Sequence, residues 1–108
     1  MAFDAGIVER VADTLLQIGE RGVRQKNVFG GRGFLVGKST FVIVWGDGLL
    51  VKTTAAEYDD LLAQPGIERF APGGEGSMGT WLVVPAEAIA DDPELTEWIR
   101  RGLRGIRR

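Results

Sequence analysis

A chain of 108 residues, 44% of them hydrophobic, suits one domain (residues 1–108) with a modest core and leaves little room for two. It has no cysteine and no histidine, which excludes disulfides, thiolate nucleophiles, thiolate-rich zinc sites and the commonest general base, so no cofactor and no catalysis are expected. The net charge of −2 is unevenly spread: Arg100, Arg101, Arg104, Arg107 and Arg108 crowd the last nine positions, against a body of eight basic and fifteen acidic residues.

In the first segment, about residues 4–19, Ile7, Val8, Val11, Leu15 and Ile18 recur at helical spacing, and Glu9, Arg10, Asp13 and Gln17 lie mainly elsewhere around the helix. An amphipathic helix ending near Gly19 or Gly22 is predicted. The same charges break the basic-then-apolar order of a signal peptide, and no run of about 18 apolar residues occurs. The expectation is a cytoplasmic protein with no membrane span.

From Arg24 to Thr53 the period becomes two. Phe41, Ile43 and Trp45 alternate with Val42 and Val44, and β-branched and aromatic residues dominate, as strands require. Gly46-Asp47-Gly48 marks a hairpin, and Leu49 to Thr53 the return strand. Thr54 with Glu57 three residues on has the spacing of a capping box for a short helix, which Gln64-Pro65-Gly66 stops. Residues 67–71 and 80–84 read as two more strands, separated by a glycine-rich loop whose composition predicts mobility. Asp92, as cap, and Pro93, in the first turn, open a last helix carrying Leu95, Trp98, Ile99, Leu103 and Ile106 on one face.

The order is helix, three or four strands, helix, two strands, helix. It predicts an α+β fold with a mostly antiparallel sheet of five to six strands and three helices. Several strands are apolar on both faces, with only three helices to cover them. A homodimer through the apolar sheet face is therefore expected.

The stretch from Phe29 to Thr40, FGGRGFLVGKST, resembles a phosphate-binding loop only superficially. Counting back from Gly37-Lys38-Ser39, the position that must be glycine is Arg32, and the following residues read as a strand where the motif requires a helix. A two-residue Gly37-Lys38 hairpin turn accounts for it better. Gly30, Gly31 and Gly33 then permit a bulge or a close backbone approach. The pairs Asp59-Asp60 and Asp91-Asp92 read as a solvated face and a helix start, since helix neighbours point about 100° apart. Trp81 and Trp98 read as core aromatics.

With these elements placed, the sequence resembles the N-terminal domain of the TfoX/Sxy family. That family opens with Met-Phe-Gly-Gly-x-Gly and an aromatic; this chain has Val28-Phe29-Gly30-Gly31-Arg32-Gly33-Phe34. Phe41 to Val44, Asp47-Gly48, Leu49 to Lys52, Phe70, Met78-Gly79-Thr80-Trp81, Pro85 and Leu95…Trp98 fall in the family's order. The resemblance implies a two-layer sandwich like that of secretion chaperones and YjbR-type proteins, with Phe29, Gly30, Gly31 and Gly33 as a structural signature. The best-known members regulate natural competence genes together with a cyclic-AMP-responsive transcription factor. The function expected is thus a non-enzymatic, cytoplasmic protein-interaction module in transcriptional regulation, acting on a protein partner. One alternative is nucleic-acid contact through Arg100, Arg101, Arg104, Arg107 and Arg108. The other is a small-ligand or enzymatic site near Arg32 and Lys52.

Overall fold

The structure is a computed structural model that describes residues 3–71 and 79–107. Helix α1 spans Ala5–Gln17 and is capped by Asp4, whose carboxylate accepts from the Gly6 and Ile7 amides. This satisfies two of the donors a helix start leaves unpaired. Its buried residues Ile7, Val11, Thr14 and Leu15 recur every three or four positions, as predicted from the apolar spacing.

Four strands then run back and forth: β1 (Val23–Val28), β2 (Gly31–Val36), β3 (Ser39–Trp45) and β4 (Gly48–Lys52). Each connection is a two-residue turn. Gly37-Lys38 joins β2 to β3, with Val36 opposite Ser39 and Gly37 alone at positive φ, the arrangement expected of a turn with glycine first. The next turn is Gly46-Asp47 rather than Asp47-Gly48. Gly48 is already the first residue of β4, buried opposite Trp45. The register of β2 on β3 slips between Phe34 and Leu35, which leaves Phe41 as the extra residue. The bulge therefore lies in β3 and not at the glycines.

Thr54 caps α2 (Ala55–Leu62): its Oγ1 accepts from the Glu57 amide at 3.1 Å and donates to the Glu57 carboxylate. Strand β5 is only Glu68–Arg69, β6 is Trp81–Val84, and a 3-10 turn at Ala86–Ile89 leads to α3 (Asp92–Ile106). Asp91 occupies the cap position of α3, one residue before the predicted Asp92, because Asp92 and Pro93 are already inside the first turn. The sheet order is β1-β2-β3-β4-β6-β5 with every neighbour antiparallel. The described residues thus form an α+β fold of three helices and six strands in two layers.

The main core lies between that sheet and the helices. Val42, Val44, Leu49, Val51, Leu82 and Val84 meet Val11 and Leu15 of α1 and Leu95, Trp98, Ile99 and Leu103 of α3. Each such burial contributes about 1.5–3 kcal/mol. Arg10 ties the two helices together, donating to the Ile89 carbonyl at 2.9 Å and pairing with Asp92 at 3.2 Å.

The other face differs from the expectation of a bare apolar sheet. Ile43, Leu50, Phe70 and Trp81 form a second cluster, each no more than 8% exposed within the single chain. Among the described residues, the large hydrophobics exposed on that side are Trp45, 37% exposed, and Phe29 in the β1–β2 turn, 52% exposed.

Candidate functional site

The glycine signature builds the β1–β2 hairpin. Val28 faces Gly31, so Phe29 and Gly30 form the turn, both at positive φ (52° and 78°). Two such angles define the mirror-image turn that matches strand twist, whose preferred first residue is Asn, Asp or Gly. Phe29 is the one non-glycine described residue in this conformation. Gly31 is held to glycine by contact: a Cβ there would overlap the Val44 carbonyl of β3.

Arg32 sits in this tightly packed frame. Alternation along the strands puts it on the helix-covered face with Val44 and Leu49, which its register pairs with in turn. Its Nε donates to Gln25 Oε1 at 3.0 Å and its Nη1 to Asn27 Oδ1 at 3.0 Å, both across the hairpin on β1. Nη2 makes no hydrogen bond to a described residue, and no described carboxylate lies within ion-pair distance. Arg32, Gln25 and Asn27 form one side of an open cleft of about 610 Å³, with Phe3, Val8 and Glu9 on the other.

Lys52 is elsewhere. It shares a strand face with Leu50, opposite to that of Arg32, and lines a separate depression with Trp81, Gly105 and Arg107. The sequence pairing of Arg32 with Lys52 is therefore not a single site in the fold.

The C-terminal arginines are largely engaged within the chain. Arg107 makes a two-bond pair with Glu20 at 2.7 and 2.8 Å. Arg104 does the same with Glu57 at 2.9 and 3.2 Å and also reaches Glu97. Arg101 lies 4.5 Å over the Trp98 ring and 3.7 Å from Glu97. Arg100 is exposed with no ion pair to a described residue, and Arg108 lies outside the described residues. The hydrogen bonds from Arg107 and Arg104 hold the Glu20 and Glu57 carboxyls below the usual carboxylate range, partly opposed by burial. The same pairs raise both guanidinium groups further. A long run of basic residues in the sequence has become a set of braces from α3 to α2 and to the α1–β1 connection.

Asp59 and Asp60 are exposed on α2, and Asp92 is engaged with Arg10. No group of three or more potential metal-binding side chains converges among the described residues. No helix of the described residues is long and apolar enough to cross a membrane. Residues 72–78 of the glycine-rich loop, predicted to be mobile, lie outside the described residues.

Sequence reasoning did not group three aromatics that the fold brings together. Phe70 meets Phe29 edge-on at 5.5 Å between ring centres and Trp45 edge-on at 5.6 Å. With Glu68, Arg69 and Val83 they line a second depression of about 510 Å³. The available signal was Phe29 itself, a bulky residue where a Phe-Gly turn favours Asn or Gly.

A six-stranded antiparallel sheet with helices on one face, and a polar cleft beside a glycine-built hairpin, define a small two-layer α+β domain. Residues 14–106 match the family model of the TfoX N-terminal domain, and the chain belongs to that family. The match spans the hairpin, Arg32, the aromatic patch and all of α3; the cleft residues Phe3, Val8 and Glu9 precede it. No curated protein matches the chain.

Proposed function

We propose that this chain is a non-catalytic, cytoplasmic protein-interaction module in transcriptional regulation of the competence type, and that it contacts a protein partner through Phe29 and Trp45, which Phe70 supports from within the fold. The observation that carries this reading is Phe29. A bulky residue in the left-handed region costs about 1–2 kcal/mol, and such strain persists where the surroundings or the function require it. Here the strained residue is also half exposed and borders the same depression as the exposed Trp45. Aromatic anchors of this kind dominate interface energetics. Family membership supports the regulatory part of the reading. The lack of cysteine and histidine supports the non-catalytic part, as does the placement of the shifted carboxyls Glu20 and Glu57 in bracing ion pairs.

Phe29→Asn separates binding from folding, because Asn-Gly is the preferred sequence for this turn. The purified variant should be as stable as the wild type or more so, by up to about 1 kcal/mol. In the native host it should shift the same transcripts as deleting the gene. Wild-type transcripts in both Phe29→Asn and Trp45→Ala would overturn the reading.

A further inference from the structure

The geometry points to a second, independent site: the Arg32 cleft binds a small amino-acid-like ligand, its carboxylate on Arg32, its amine toward Glu9 and its apolar part against Phe3 and Val8. Arginine stays charged at any physiological pH, and a partly buried charge is normally paired. Arg32 is half-buried, yet the two described groups that hold it, Gln25 and Asn27, are neutral carboxamides. They orient the guanidinium without neutralising it, and both hydrogen bonds are solvent-exposed, so water rather than a described acid screens its charge. Nη2 keeps donors without a described acceptor, and a planar fork held in place is suited to a carboxylate.

The apolar wall is also fixed in position. Phe3 forms an isolated bridge with Gly46, and the Asp4 amide donates to the Gly46 carbonyl at 3.0 Å, which pins the chain ahead of α1 to the β3–β4 turn. The volume of about 610 Å³ lies within the range of about 300–1,000 Å³ typical of ligand clefts. Glu9 sets the ligand's charge. It lines the same cleft as Arg32, is exposed and makes no ion pair with a described residue, so its carboxylate can turn toward a ligand there; a phosphate dianion would then meet repulsion, whereas a group carrying one carboxylate and one amine complements both. This inference uses no residue of the aromatic patch, so either reading can fail alone.

Amide-resolved NMR titration of the whole chain tests it, with leucine, 4-methylpentanoate (leucine without the amine), isoamylamine (leucine without the carboxylate) and inorganic phosphate as probes. Leucine should give saturable shifts at Ala5–Glu9 and Gln25–Arg32. Isoamylamine and phosphate should bind at least about tenfold more weakly, as loss of a charge-assisted hydrogen bond implies. Arg32→Gln should lose at least about tenfold in leucine affinity, and Arg32→Lys, which keeps charge but not the fork, should fall between. Glu9→Gln should weaken leucine and leave 4-methylpentanoate unchanged. No saturable leucine shift up to about 10 mM, unchanged affinity in both Arg32 variants, or phosphate binding as tightly as leucine would each overturn the proposal.

Discussion

Arg107 and Arg32 carry the same side chain into opposite circumstances. Arg107 lies in a stretch so basic that an external polyanion was the natural expectation, and the fold gives it Glu20 through two short hydrogen bonds. Arg32 is a lone cation between two glycines, and the fold gives it two neutral acceptors and an open cleft. Local charge density along a sequence is thus a poor guide to which charge is available. What matters is whether an acid from a distant element arrives beside it, and Glu20 is 87 positions from Arg107.

The largest expected effect tests the frame around Arg32. Gly31→Ala should destabilise the protein by about 2–3 kcal/mol in denaturant unfolding, because its Cβ would meet backbone in a paired strand. A loss under about 0.5 kcal/mol would mean that the frame adjusts and does not fix Arg32.

Removing the two arginines sharpens the contrast at a smaller scale. Arg107→Ala should cost about 0.5–1 kcal/mol, since its pair with Glu20 is well formed but partly exposed. Arg32→Gln should cost less than about 0.5 kcal/mol, because its described partners are neutral. Equal losses would break the comparison.

The smallest effect is in the pH dependence. Glu20 and Glu57 have lowered carboxyl values in the folded chain, so their contribution is complete above the unfolded carboxylate value of about 4.3 and fades as pH falls through the folded values beneath it. The stability gap between wild type and Arg107→Ala should be constant above about pH 5 and close as pH drops toward about 3. The gap for Arg32→Gln should stay flat over the same range.

Much of the architecture was legible because it depends on local periodicity. Helical spacing from Ile7 to Leu15 and the β-branched and aromatic run from Phe41 to Trp45 predicted α1 and β3, and glycine at position 37 predicted the turn that rules out a phosphate loop. The errors were of two kinds. Single-residue shifts at Gly46-Asp47 and Asp91 arose because neighbouring residues are equally competent for a turn or a cap; the pairing of Trp45 with Gly48 decides the first, and the start of α3 at Asp92 the second. The larger misreadings concerned contact across the fold. The grouping of Arg32 with Lys52 ignored that they lie on opposite sheet faces, and the clustering of Phe70 with Ile43, Leu50 and Trp81 on the second face was not foreseen.

The sequence by itself determined the element order, the two-layer class, the family signature at Phe29 to Gly33 and the exclusion of histidine and cysteine chemistry. These follow from residue type and short spacing, which act within a few positions. Only the tertiary structure decided that Arg107 meets an acid while Arg32 meets none among the described residues, and which three aromatics meet. Both depend on side chains separated by tens of residues, and strand register, not local preference, sets those distances.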